Sequence, residues 1–193
     1  MKKFILAWFI LGTMAVAQDE EYRSEVRVGG GNFLPAEHAS SFAFQAGYVM
    51  ASGSSVVGVD LQIKKTEANI IRAKDVDVVS FYVPFHYGYI SRTGKVRPYI
   101  AGGVSLGVIG IDETEWKSKT PGLVVEKSVA YSYGLLGIAG VTLQASDELA
   151  FFLEYRHSFD YFYVTIAGMG DEFVGIGGGF VHVGIGFSIS RNL

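Results

Sequence analysis

The sequence contains no cysteine in its 193 residues. Disulfide frames and thiolate chemistry are therefore excluded. Proline is scarce, with four in all, so few positions forbid a ladder hydrogen bond. Charge is also thin: 16 basic against 19 acidic residues and no basic run. That balance excludes nothing about compartment, but it argues against a nucleic-acid partner. Beyond the amino terminus, no charge-free run reads as a spanning helix. The two longest, Val129–Ser146 and Phe173–Ser190, are interrupted by glycines such as Gly134, Gly137, Gly177 and Gly184. Both alternate with period two, which favours strands.

Glycine and aromatic residues are abundant: 25 Gly, 14 Phe and 11 Tyr. The amino terminus reads as a secretion signal. Lys2 and Lys3 are followed by the apolar stretch Phe4–Val16, and Ala15-Val16-Ala17 supplies a small-x-small cleavage site. Cleavage after Ala17 would leave one domain, residues 18–193, with 14 basic and 19 acidic residues and a formal charge of −5.

Alternation recurs eight times in that domain. It predicts strands over Tyr22–Asn32, Ser41–Ala51, Ser55–Lys64, Val78–Tyr89, Val96–Ile109, Val129–Gln144, Leu149–Phe159 and Gly179–Ile189. Connections after the second, fourth and sixth strands are tight: Ser52-Gly53-Ser54, the stretch Ser91–Lys95, and the stretch Ala145–Glu148. The others are longer and more polar. Short turns on one rim and long loops on the other are the layout of outer-membrane barrels. The predicted fold is all-β: an eight-stranded antiparallel up-and-down transmembrane β-barrel.

Glycine placement decides which face points inward. Gly47, Gly58, Gly88, Gly103, Gly107, Gly134, Gly140, Gly184 and Gly186 share parity with the charged residues. An eight-stranded barrel has a narrow, filled interior, where glycines relieve crowding. On the opposite parity, Phe42, Phe44, Tyr131 and Tyr133 lie toward one rim and Tyr87, Tyr89, Phe151 and Phe187 toward the other. Two girdles bounding an aliphatic band suit a bilayer. Leu106, within the run Ile100, Val104, Leu106, Val108, is expected near the bilayer midplane.

Three stretches resemble a known family. They are Pro98-Tyr99-Ile100-Ala101-Gly102-Gly103-Val104-Ser105-Leu106-Gly107, the glycine-rich strand, Ser-Asp turn and Glu-Tyr-Arg strand from Gly137 to Arg156, and the closing alternation His182, Gly184, Phe187, Ile189. On these the chain resembles the small outer-membrane β-barrel domains of OmpA-transmembrane, OmpX and opacity-protein type. The tail Ser190-Arg191-Asn192-Leu193 departs from members that end on the aromatic itself. The resemblance implies residence in a bacterial outer membrane. It also implies contact with outer-membrane lipid and lipopolysaccharide, and recognition by the barrel-assembly machinery through the closing strand. It says little about activity, because one such fold hosts many functions.

The inward parity holds Arg23, Glu25, Arg27, Asp60, Lys64, Arg97, Glu154 and Arg156. Unpaired charges in a narrow lumen are costly, so ion pairs are expected, and Arg27, Glu154 and His182 are candidates to meet. This set reads as a structural plug; the alternative is a small channel or porin. His157-Ser158 is faintly similar to the His and Ser of barrel-hosted lipid A deacylases, a lipid-modifying hydrolase being the other alternative. Adjacent strand residues face opposite ways, which speaks against the pair. His38 is expected in a loop and His86 in the lumen; the four histidines lack metal-ligand spacing. Asp75 and Asp77, and the run Asp112-Glu113-Thr114-Glu115, could take a cation but read as solvated loop charge. Lys64, Lys65, Arg72 and Lys74 would place positive charge on the second long loop, facing lipopolysaccharide phosphates or water. The expectation is a structural or surface-interaction barrel without catalysis or cofactor. It would be monomeric, with any host or surface ligand taken by the long loops, among them Asp112–Ser128 and Asp160–Gly177.

Overall fold

The computed structural model describes residues 22–34, 42–70, 73–91, 94–111, 129–166 and 170–189. Eight strands are described: β1 (Tyr22–Leu34), β2 (Phe42–Ser52), β3 (Ser55–Ile70), β4 (Ala73–Ile90), β5 (Val96–Ile111), β6 (Val129–Gln144), β7 (Leu149–Ile166) and β8 (Gly170–Ser188). Each pairs antiparallel with its neighbour, and β8 returns to β1, closing the barrel. Closure leaves no sheet edge for hydrocarbon to strand without hydrogen bonds.

The register fixes the slope of the wall. Register partners from Ser24 run through Met50, Val57, Tyr87, Gly102, Gly137, His157 and Gly179 and return to Leu34, ten residues up β1. With about 3.3 Å per residue and about 4.8 Å between strands, that shear tilts eight strands by roughly 40°. Each residue then climbs about 2.5 Å along the axis, so an apolar band of about 25 Å takes about ten residues.

The wall is apolar outside and polar inside. Leu61, Leu135 and Val183 are 51%, 63% and 58% exposed, while Glu154 and Arg156 are 1% and 2% exposed. Outward rings form two belts. Tyr48, Tyr87, Tyr89, Phe151 and Phe187 lie toward the short turns, and Phe42, Phe44, Phe81, Tyr133 and Phe159 toward the other rim. Leu106 is the register partner of Tyr133. It therefore belongs to the outer belt rather than the midplane.

The tight turns sit where expected. β2 and β3 are joined by Gly53-Ser54 alone, and Gly53 takes φ 55, a left-handed value that glycine adopts at no steric cost. Ser146 Oγ caps the β6–β7 turn, accepting from the amides of Glu148 (3.3 Å) and Leu149 (3.1 Å).

Four strands outrun their expected far-rim ends by five residues or more. β3 continues past Lys64 to Ile70, β4 starts at Ala73, β7 runs past Phe159 to Ile166, and β8 begins at Gly170. The expected loop Asp160–Gly177 is therefore mostly wall, and residues 71–72 and 167–169 alone separate those strands. Lys65 and Asp77, expected in a loop, are strand residues that pair with each other at 2.7 Å. The longest gaps between described strands on that rim are residues 35–41 and 112–128. They lie outside the described residues, as do His38, Asp112–Glu115, Arg72, residues 1–21 and the tail beyond Ile189.

The interior is layered. Val49, Val56, Ile90, Tyr99, Leu136 and Ile138 pack into one apolar cluster built from the short-turn halves of β2–β6. Val76, Val78, Ile109, Phe162, Val164 and Val174 pack into another at the far ends of β4–β8. The charged set touches the first cluster through Tyr99 and runs from Arg23 and Arg97 at the short-turn rim to Lys64 beneath the second.

Candidate functional site

β1 presents Arg23, Glu25 and Arg27 at alternate positions, so all three point inward. β7 does the same with Glu154, Arg156, Ser158 and Asp160. β8 lies between these two strands, and its glycines let the two rows meet. Gly184 is the register partner of both Gly29 and Phe152. A Cβ at Gly29 would stand 2.7 Å from Cζ of Phe152, so that ring fits only over bare backbone. A Cβ at Gly186 would lie 3.3 Å from Glu25 Oε2 and 3.5 Å from Arg27 Cγ.

Arg27 is the joint of the resulting chain of charges. It pairs with Glu25 at 3.0 Å and with Glu154 at 3.2 Å. It also donates to Thr142 Oγ1 at 3.3 Å, and its guanidinium lies over the rings of Tyr99 (5.3 Å) and Phe152 (5.4 Å). Four donors converge on Glu154: Arg27 Nη1 at 3.2 Å, Arg156 Nε at 2.6 Å, Gln45 Nε2 at 3.4 Å and the Tyr99 hydroxyl. A carboxylate offers about four lone-pair sites, so this one is saturated. Arg156 passes the chain on to Asp60 Oδ2 at 2.6 Å. At the short-turn rim, Arg23 reaches Glu25 Oε1 at 2.9 Å. Arg97 approaches the same oxygen at 3.6 Å and donates to Gln144 Oε1 at 2.9 Å.

Lys64 forms a second centre nearer the far rim. It donates to Ser158 Oγ at 2.8 Å and Asp160 Oδ2 at 3.0 Å, and lies 4.6 Å from the Tyr82 ring. Ser105 donates to Asp160 Oδ1 at 2.6 Å. A cavity of about 10 Å³ beside Lys64 is also lined by Thr66, whose hydroxyl has no protein partner. Such a volume suits about one water molecule.

All eight charged residues expected in the lumen line one interior, and seven are joined through carboxylates into the chain from Arg23 and Arg97 to Asp60. Lys64 stands apart with Asp160. Arg27 and Glu154 meet. His182 is the register partner of Glu154, yet its ring meets Gln62, at 3.5 Å. His86 Nδ1 stands 3.6 Å from Asp60 Oδ2, beyond hydrogen-bond length. Of the closing residues, His182 is fully buried, while Phe187 and Ile189 are half exposed outside.

The sequence reading missed Asp160, Tyr99 and Gln45. Asp160 continues the parity of Glu154, Arg156 and Ser158, a signal that was present but hidden by ending the strand at Phe159.

His157 and Ser158 do not form a couple. His157 Nδ1 lies 3.2 Å from the Tyr155 hydroxyl outside the wall, while Ser158 is held by Lys64 inside. Among the described residues no cluster of His, Asp or Glu converges to hold a metal ion.

Neither a known family model nor a curated protein matches the sequence. Solved structures do resemble the fold. The outer membrane protein OprG from Pseudomonas aeruginosa is 12% identical with a TM-score of 0.59, over 89% of this chain and 98% of that one. Neisserial surface protein A is 16% identical with a TM-score of 0.53, over 86% of this chain and 94% of that one. The chain has the fold of a small outer-membrane β-barrel. At these identities the likeness speaks for architecture, and the role must be argued from this chain's own residues.

Proposed function

We propose that the protein is an integral outer-membrane barrel, exported by the signal in residues 1–17, whose lumen is a structural plug rather than a conduit. The observation that carries this reading is the continuous chain of alternating charge that crosses the lumen from Arg23 to Asp60, with one apolar cluster packed beside it and another at the far rim. Each guanidinium and carboxylate already has a partner, so an ion entering the lumen would have to break pairs. Recognition of a surface ligand would then fall to connections 35–41 and 112–128, which leave the wall at the rim opposite the short turns. In the lipid-modifying alternative His157 would have to serve Ser158, and it lies outside the wall against Tyr155.

Planar-bilayer recording of the refolded protein tests the plug. No steady conductance above leak is expected. A stable open level that Arg156→Leu enlarges would favour the channel reading. Protease added to sealed cells should cut at Lys117, Lys119 or Lys127 and spare Lys95.

A further inference from the structure

The outside of the barrel is unequal at the far rim. On β3 and β4 charge enters the outward positions: Lys65 pairs with Asp77 and Glu67 follows, with Val79 the apolar residue left among them. On β6, β7 and β8 aromatic rings continue among the outward positions, up to the exposed pair Thr165–Asp171. Tyr131 is 86% exposed, and Tyr161, Tyr163 and Phe173 are exposed beside it. Their rings make one surface: Tyr161 stacks on Phe173 at 5.0 Å and 3°, and Tyr163 meets Phe173 at 5.0 Å.

The register compares heights. Partners of Lys65 run through Val79 and Gly110 to Val129. Ten residues of shear over eight strands make each lateral step climb a little more than one residue. Lys65 therefore stands level with Tyr133, and Tyr131, Tyr163 and Phe173 stand about 4–11 Å above it. The aromatic surface thus continues upward past the level at which the opposite wall has become ionic.

We infer that the barrel sits leaning in the bilayer, its β6–β8 face seated in the sugar-phosphate headgroup layer of the outer leaflet while β3 and β4 at the same height stand in water. This rests on the transmembrane placement. The patch is continuous with the lipid-facing band through Phe159 and Leu135, which are register partners, so the same solvent covers both. Its chemistry is that of an interface: phenol hydroxyls on apolar rings favour the headgroup level. An ion pair and Glu67 on the other side exclude hydrocarbon at that height.

The absence of cysteine makes the test direct. Single nitroxides are attached at Tyr131→Cys, Tyr163→Cys and Glu67→Cys in the full chain refolded into vesicles carrying lipopolysaccharide. Oxygen and a water-soluble nickel reagent then compete for each label. The oxygen-to-nickel accessibility ratio should be several-fold higher at Tyr131 and Tyr163 than at Glu67. Tyr131 lies outside the Tyr161–Phe173 stack, so its replacement leaves that stack intact. Equal ratios at the three sites overturn the lean, and a higher ratio at Glu67 reverses it. A fourth label at Leu61→Cys reads as lipid whether or not the barrel leans. A water-like value there would instead overturn the transmembrane placement.

Discussion

Near the short turns, Tyr87, Phe151 and Phe187 face outward, and Glu25, Arg27 and Glu154 face inward. Near the far end of the β3–β4 hairpin the sense is reversed: Lys65, Glu67 and Asp77 face outward, and Val76 and Val78 pack in the interior. The backbone is the same in both places, a continuous antiparallel ladder with period two. What changes is the solvent outside. Where hydrocarbon covers the wall, polarity retreats to the lumen; where water covers it, the apolar side turns inward as in a soluble protein. The two ion-pair environments differ accordingly. Glu154 is inside and nearly inaccessible, whereas Asp77 is 30% exposed by side chain.

The largest effect should come from the inside of the membrane region. Glu154→Gln leaves Arg27 and Arg156 without their shared carboxylate and should cost about 3–5 kcal/mol, read from urea unfolding in lipid vesicles. A loss similar to that of a surface pair would erase the contrast between the two environments. Next is the outer face at mid-height. Leu61→Arg should cost roughly 2–4 kcal/mol, and Leu106→Arg, beside the Tyr133 girdle, roughly 0–1 kcal/mol. Equal costs for the two would mean that the belts are misplaced. Phe187→Ala removes a girdle ring and should cost on the order of 1–2 kcal/mol. It should also lower the heat-modifiable fraction reaching the membrane, while Leu193→Ala should change little. If Leu193→Ala stalls assembly instead, the eighth strand has been read in the wrong register. The smallest effect belongs to Asp77→Asn at the watery end, about 0–1 kcal/mol and weaker still in salt.

The same contrast explains what could be read from the sequence. All eight strands, their parity and the three tight turns were legible, because hydrocarbon on one side and a packed lumen on the other give clean alternation. The far ends of β3, β4, β7 and β8 were not. On β3 and β4 the outward charges Lys65 and Asp77 interrupt the alternation, although they mark only the end of the bilayer; on β7 the inward charge Asp160 follows Phe159, and on β8 the glycine-rich run 175–179 hides the pattern. Asp160 was lost with that truncation. Tyr99 and Gln45 were missed for a different reason. Each sits correctly on the inward parity, but nothing local reveals that two strands far apart in sequence aim them at one carboxylate. Glycines at 184 and 186 were legible as small inward residues; that they, with Gly29, clear a path for the Arg27–Glu154 contact depends on β8 lying between β1 and β7.

The junction of β1 with β8 has one more consequence. Ile189 donates its amide to the carbonyl of Ser24 at 2.7 Å, and Ser188 donates to Glu148 at 2.8 Å, so both ends of the wall finish side by side on one rim. For the folded ring, the place where the polypeptide starts is a matter of bookkeeping. A gene rearranged to join Ile189 to Tyr22 through a short linker, and opened at Gly53-Ser54, would encode a circular permutant with every ladder retained. Such a chain would offer a different terminal strand to whatever machinery inserts it, separating the needs of the finished ring from those of its construction.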